Sequence, residues 1–316
     1  MSGSHLTREL GLRLLRKLRE IRQVEERIIA IYPTDVMVTP VHLHIGQEAV
    51  PVGVCDHLAP HDLIFFGHRT HGPALAKGLT LNRFMAELYG RTTGYAASFG
   101  GSMHVVDPDN GMLGSSAVVG GSIALGVGAA LAAKLEKRDQ LVVSYFGDGA
   151  TNSGVFWESM NFAALKEIPV LFVCEDNALS NVMPRKEHMF ADIGAIAGNF
   201  MKVWRADGTD VLSVRAAAGE ACAYIRGSAK PAFLWCPTKR WMKHQGVEVD
   251  DLPFNPVDRI KDCPIQKLEA EMLEQGLIFL PEIAQMTREI EDKIDAAIKY
   301  AQDSPFPTPD MLVTEV

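Results

Sequence analysis

The chain has 316 residues, of which 47% are hydrophobic and 22% charged, with a formal net charge of −8. That length and apolar content suffice for one large α/β domain or one and a half. A mild negative charge without a basic, aromatic-interleaved patch argues against a nucleic-acid partner, and no apolar run is long enough to span a bilayer.

The opening Met-Ser-Gly-Ser-His lacks the apolar core of a signal peptide. The five cysteines (Cys55, Cys174, Cys222, Cys236 and Cys263) are scattered without a C-x-x-C pair. Several lie in apolar runs, where cysteine behaves as a small buried hydrophobe. The expectation is a reduced, cytoplasmic protein with neither a disulfide framework nor a zinc site.

In chain order, the first thirty residues read as one helix. Leu14, Leu18, Ile21, Ile28 and Ile29 fall mostly three, four or seven apart, with Arg and Glu between them. Such a helix needs a surface to cover, in its own core or on another subunit. Residues 47–60 and 81–90 read as helices, separated by loops rich in His, Gly and Pro. From about residue 120 strands and helices alternate. A small-residue helix over 121–137 precedes a strand over 141–146; a helix over 154–167 precedes a strand over 169–175. A strand near 201–205, a helix over 210–226 and a strand over 232–236 complete the pattern. This is an α/β fold, doubly wound, with a mostly parallel sheet flanked by helices. An amphipathic helix near 281–302 follows, and then Ser304-Pro-Phe-Pro-Thr-Pro309, an extended tail suited to lying on a neighbour. The chain divides into an N-terminal helical arm (1–40), an α/β domain (41–260) and C-terminal helices with the tail (261–316).

The strand ending at Phe146 runs into Gly147-Asp148-Gly149, and the strand ending at Cys174 runs into Glu175-Asp176-Asn177. Ligands of open parallel sheets sit beyond the carboxyl ends of strands. One strand–helix–strand unit separates Asp148 from Asn177, so topology makes them neighbours in space. A carboxylate, an amide oxygen and a nearby backbone carbonyl form a hard-oxygen set suited to Mg²⁺, which completes its shell from water or phosphate. The glycines admit close backbone approach, and the helix starting near Ser153 points its N-terminus at the same place. The constellation reads as metal plus diphosphate. G-D-G alone more often marks a tight turn; the two flanking strands and the Asn at the next strand end carry the reading. A dinucleotide site is disfavoured, because Asn152 and Leu131 stand where G-x-G-x-x-G needs its third glycine.

With these residues in place, the chain resembles the alpha subunit of the thiamine diphosphate-dependent decarboxylating component of 2-oxo acid dehydrogenase complexes, of the pyruvate, branched-chain and acetoin types. The resemblance covers roughly residues 10–245 and rests on motifs in order. They are His42-Leu-His-Ile-Gly46-Gln-Glu-Ala49, Gly67-His-Arg-Thr-His-Gly72, Met85-Ala-Glu-Leu-Tyr-Gly-Arg91, Gly100-Gly-Ser-Met-His104 and Gly147-Asp-Gly-Ala-Thr-Asn-Ser-Gly154. It implies the diphosphate-binding half of a thiamine diphosphate fold.

By this resemblance Asp148 and Asn177 ligate Mg²⁺ through side-chain oxygens and Leu179 through its carbonyl, where the family usually has Tyr. Gly149 and Ala150 offer backbone N–H groups to the diphosphate, and Arg69 contacts phosphate with its planar fork. His68 stands where a Tyr normally precedes that arginine. Ala117 and Val119 match positions that support the aminopyrimidine. His42 matches the histidine lining the substrate pocket, and His244 the one at the root of the active-site loop and near the cofactor. Histidine's near-neutral pKa suits both to moving protons. His44, His71 and His104 are taken as structural. The small-residue helix (Gly120, Gly121, Ser122, Gly126, Gly128, Ala129, Ala130) implies close packing, at a subunit interface near the cofactor.

The resemblance further implies an obligate beta subunit carrying the glutamate that activates the cofactor, in an alpha/beta heterotetramer, and acyl transfer to a lipoyl acyltransferase. One departure bears on that role. Family loops usually read H-S-x-S-D after the histidine, whereas here the run is His244-Gln-Gly-Val-Glu-Val-Asp-Asp251, without the phosphorylatable serine. A two-subunit, transketolase-like or acyloin-forming carbon–carbon transferase stays open, as does a non-catalytic dinucleotide-binding protein.

Overall fold

A computed structural model of the chain describes residues 6–37 and 39–311. Helix α1 (Arg8–Ile31) is capped by Thr7, whose hydroxyl accepts from the Leu10 N–H at 3.3 Å. Helix α2 (Ala49–Cys55), strand β1 (Leu63–Phe66), helices α3 (His71–Lys77) and α4 (Leu81–Leu88) and strand β2 (Met112–Ser115) follow. Helix α5 (Gly121–Leu135), strand β3 (Val142–Gly147), helix α6 (Gly154–Leu165) and strand β4 (Val170–Asp176) form the centre. A small antiparallel ribbon, β5 (Leu179–Ser180) with β6 (Met183–Pro184), leads through α7 (Ile193–Ala197) to β7 (Lys202–Arg205), α8 (Val211–Ser228) and β8 (Ala232–Pro237). Helices α9 (Pro264–Glu274) and α10 (Leu280–Asp303) come last. No helix among the described residues is long and apolar enough to cross a membrane.

The six main strands lie in the order β2-β1-β3-β4-β8-β7, and every neighbouring pair is parallel. β4 is buried at all seven positions, as a strand covered on both faces must be. The chain steps outward from β1 to β2, then returns to place β3 on the other side of β1. That reversal opens a crevice at the carboxyl ends of β1 and β3.

Each face of the sheet has its own apolar core. On one, Leu14, Leu18, Ile21 and Ile28 of α1 join Leu268 and Met272 of α9 and Ile290 and Ile294 of α10. The first helix thus finds its partner surface within its own chain. On the other, α5, α6 and α7 cover Phe146, Phe172 and Phe233, with Phe156 edge-on to Phe146 at 5.6 Å between centroids. Part of the small-residue pattern of α5 serves this packing, since a Cβ on Gly126 would lie 3.1 Å from the Ser144 Cβ.

The expected strands and helices from residue 120 onward are present within a few residues. Between 60 and 81, where loops are expected, lie β1 and α3. The apolar run of β1 is only four residues long, and α3 begins His-Gly-Pro, a turn-like signature. β2, which contains a glycine, and α9 also escape the pattern. The tail is extended as expected and is anchored at its start on its own chain: Thr92 N–H donates to the Pro305 carbonyl at 3.1 Å, and the Arg91 guanidinium lies over the Phe306 ring, which stays largely exposed.

Two of the sequence motifs are joined by one buried carboxylate. Glu87 in α4 accepts the backbone N–H groups of Ala96, Gly100 and Gly101 at 2.8, 2.9 and 2.9 Å and of Ser98 at 3.2 Å. It fixes a loop in which Ala97 and Ser98 take left-handed φ values of 50° and 81°. Glu87→Ala leaves four donors without their acceptor. The expected loss of stability is about 3 kcal/mol or more, since charge-assisted bonds are each worth roughly 1.5–3 kcal/mol. Urea unfolding of the variant checks this; a loss under about 1 kcal/mol would show that water satisfies the loop equally well.

Candidate active site

Three parallel strands bring polar groups to one crevice. β1 runs through Gly67 into His68 and Arg69, β3 turns at Gly147 into Asp148, and β4 ends by delivering Asn177. Gly147 and Glu175 are register partners, so Asp148 and Asn177 lie one and two residues beyond the last paired position. The sequence expectation that they are neighbours holds. His68, Arg69, Asp148, Gly149, Ala150, Asn177, Leu179 and His244 line one cavity, together with Val119. Ala117 is exposed and outside that lining. His42 is also outside it, but its ring packs on those of His68 and His244.

Asp148 has no exposed surface, and neither carboxylate oxygen meets a hydrogen-bond donor. Burial pushes its pKa up to about 7, against a partial offset from the Arg185 charge and the nearby backbone N–H groups of Asp148 and Asn177. A buried carboxylate without a partner is costly, and either a proton or a cation would relieve that cost.

Asn177 is held on both sides. Its Nδ2 donates to Gln47 Oε1 at 2.9 Å, and its Oδ1 accepts from Leu179 N–H at 3.1 Å. Asp176 pins the same turn by accepting from Ala178 N–H at 3.0 Å and Trp235 Nε1 at 2.7 Å, and by pairing with Arg185. A Cβ on Gly149 would fall 2.9 Å from Ser180 Oγ and 3.3 Å from Ser180 Cβ, so Ser180 would have to shift to admit one.

Arg69 is tethered only to main-chain oxygens, donating to the Leu43 carbonyl at 2.6 Å and the His244 carbonyl at 3.1 Å. No carboxylate pairs with it among the described residues. Burial, and then the Arg240 charge, lower its pKa to about 10, so it remains a cation at neutral pH. Arg240 is itself neutralised by Asp250 at 2.6 Å. The cavity therefore carries an unmatched carboxylate and an unmatched guanidinium, which fits a divalent cation joined to a phosphate-bearing ligand.

The histidines need a correction. Burial, and then Arg69, depress His42 to about 3, His68 to about 2 and His244 to about 4. They are uncharged at neutral pH rather than poised near it. His44 and His71 are structural, as expected. His44 Nε2 bonds Glu175 at 2.9 Å, and His71 bridges Glu25 at 3.0 Å and Ser102 at 2.8 Å. His104 is exposed. Gln47, Glu175, Arg185 and Arg240 were missed by sequence reasoning. Gln47 and Glu175 lie in runs singled out there, but nothing in the spacing indicates that Gln47 contacts Asn177 or that Glu175 contacts His44.

A profile of the dehydrogenase E1 component matches residues 16–310. The chain belongs to the dehydrogenase E1 component family. The alpha subunit of acetoin:2,6-dichlorophenolindophenol oxidoreductase from Bacillus subtilis is 36% identical to it, over 99% of this chain and 95% of that protein. The pyruvate dehydrogenase E1 component subunit alpha of Rhizobium meliloti is 32% identical over 99% and 91%, and the human somatic-form mitochondrial counterpart 32% over 96% and 78%. This E1 alpha family is thiamine diphosphate-dependent, typically with Mg²⁺, and its alpha subunits pair with beta subunits.

Asp148 gives a pH signature without any cofactor. Its pKa is about 7 folded against an ordinary carboxyl value of 3.8, so folding is unaffected below about pH 4 and progressively penalised as pH rises toward 7. Asp148→Asn removes that penalty. In chelator-treated protein the variant should exceed the parent in stability at pH 8 by up to about 4 kcal/mol, at 1.36 kcal/mol per pKa unit, and match it near pH 4. Urea unfolding at the two pH values measures it; equal stability at pH 8 would mean that the carboxylate is already compensated.

Proposed function

We propose that this chain is the alpha subunit of a thiamine diphosphate- and Mg²⁺-dependent 2-oxo acid dehydrogenase, active with a beta subunit and passing its acyl group to a lipoyl acyltransferase. The observation that carries the reading is the buried, unpartnered carboxylate of Asp148 at the crevice between strand ends, with an uncompensated Arg69 in the same cavity. The names of the relatives support the class of reaction, and both an acetoin and a pyruvate enzyme are among them.

In this reading Asp148 and Asn177 hold Mg²⁺ through side-chain oxygens, with the Leu179 carbonyl beside them. Gln47 binds the amide nitrogen of Asn177, which leaves the oxygen as its metal-facing atom. Arg69 and His68, with the N–H groups of Gly149 and Ala150, take the diphosphate, and Val119 and Ala117 border the aminopyrimidine. Bound there, thiamine diphosphate supplies the nucleophilic carbon and electron sink for decarboxylation. His42 and His244, kept neutral by burial, accept protons, and an anionic ligand beside them raises their pKa toward the working range.

Residues 41–260 form the cofactor-binding unit, framed by 1–40 and 261–316. Two such chains pair with two beta subunits, each supplying the activating glutamate. Val118 and Val119, 70% and 53% exposed beside the cavity, give such a partner an apolar edge to cover. All five cysteines are unpaired, which suits the cytoplasm.

Calorimetry with thiamine diphosphate and Mg²⁺, on the chain alone and with its beta subunit, tests this. The assembly should bind and turn over acetoin or a 2-oxo acid with dichlorophenolindophenol as acceptor, while the chain alone should show little turnover. Asp148→Ala should weaken Mg²⁺-dependent binding at least about 100-fold, roughly 2.7 kcal/mol. Unchanged affinity removes the metal assignment, and full activity of the isolated chain removes the split site.

A further inference from the structure

The rings of His42, His68 and His244 meet in a way that the proposed reaction does not require. Their centroids lie 4.7 Å apart (His42–His68) and 5.1 Å apart (the other two pairs). One ring nitrogen from each lies within 4.8 Å of the other two. No ring nitrogen of the three is hydrogen-bonded to another described residue, and His42 Nδ1 is buried without any partner. The third ring is there only because His68 stands where the family pattern has tyrosine.

We propose that His42, His68 and His244 form a binding site for a late first-row divalent ion such as Zn²⁺, Co²⁺ or Ni²⁺, separate from the oxygen ligands at Asp148. Imidazole favours these ions, whereas Mg²⁺ prefers hard oxygens. Ligands on one tetrahedral zinc, at about 2.05 Å from the metal, lie about 3.3 Å apart, so ring rotations that close up to about 1.5 Å complete the set. Three protein ligands leave a fourth position for water or an anion.

The backbone holds the three rings together. The segments carrying His42 and His244 are joined by a β-bridge between His42 and Gly246, with Gly246 N–H donating to the Val41 carbonyl at 2.9 Å. Arg69, the neighbour of His68, donates to the Leu43 and His244 carbonyls and so ties the second strand end to both. The positive charge of Arg69 opposes a dication, and an anion at the fourth position answers it. The site stands on ring geometry and does not depend on the proposed reaction.

Co²⁺ is the probe. Added to the full-length chain with Mg²⁺ in excess and thiamine diphosphate absent, it should bind with the visible ligand-field bands of a nitrogen-ligated ion, and Zn²⁺ should displace it. His68→Tyr and His244→Gln should each weaken binding at least about tenfold, the smallest loss typical of disturbing a metal site. His61→Gln, at an exposed histidine away from the pocket, should not change it. Circular dichroism establishes that each variant is folded, and either one suffices if the other is not. A titration without bands, or bands that persist equally in the folded variants, would overturn the site. Neither result involves turnover or the beta subunit, so the proposed function fails or survives on separate measurements.

Discussion

Asp148 is held at the end of β3 with both oxygens out of water and without a hydrogen-bond partner. The Thr151 hydroxyl donates to the Asp148 carbonyl at 2.7 Å and closes the turn from below. Gly149 lies against Ser180, so the ribbon of β5 and β6 covers the other side. Asn177, tied to Gln47 and to the Leu179 N–H, fixes the far wall. A carboxylate locked in this way is destabilising whenever it is ionised and unpartnered. The parallel sheet, its crevice and the ribbon are all needed to hold it there.

The other charges around the crevice are arranged to leave one cation free. Arg185 is taken by Asp176, Arg240 by Asp250 and Arg22 by Glu48. Arg69 alone among these bonds only to carbonyls, which orient a guanidinium without cancelling its charge. The result is a cavity with an unmatched negative end and an unmatched positive end. The neutral state of the three histidines follows from the same arrangement, because Arg69 acts on rings already stripped of water. An incoming phosphate that neutralises Arg69 removes that push, so ligand binding and imidazole protonation are coupled.

The central fold was legible because its signals are strong and local. Leu141–Phe146 and Pro169–Cys174 are long apolar runs, and each ends in a polar residue at the edge where ligands bind. The G-D-G turn and Asn177 could therefore be placed relative to one another without coordinates. What was not legible depends on contacts distant in sequence. Gln47 reaches Asn177 across 130 positions, and Arg240 finds Asp250 in a segment whose pattern suggests only a loop. β1 was invisible because four residues cannot show a period. The histidine pKa values are not legible in the sequence for a related reason. Composition supplies the free imidazole, whereas the shift comes from burial and from Arg69, and neither can be read along the chain.

Helix α5 shows how one sequence feature can serve two surfaces. Its small residues read as a single pattern, yet they divide between opposite faces. Gly126 meets Ser144 of β3 and sets how closely the helix approaches the sheet, whereas Gly128 faces open space. Leu125 and Leu135 are 55% and 73% exposed beside it, and Val118 and Val119 continue the apolar surface to the cavity mouth. An apolar strip that runs from a ligand cavity along a helix of small residues is poorly suited to water and well suited to close backbone approach by another chain. E1 alpha subunits pair with beta subunits, and on the proposed function the same covering would close the cavity over its contents. On that proposal the exposed strip and the uncompensated Asp148 would be two aspects of one arrangement, in which the chain supplies the charged wall of a site and a partner the opposite wall.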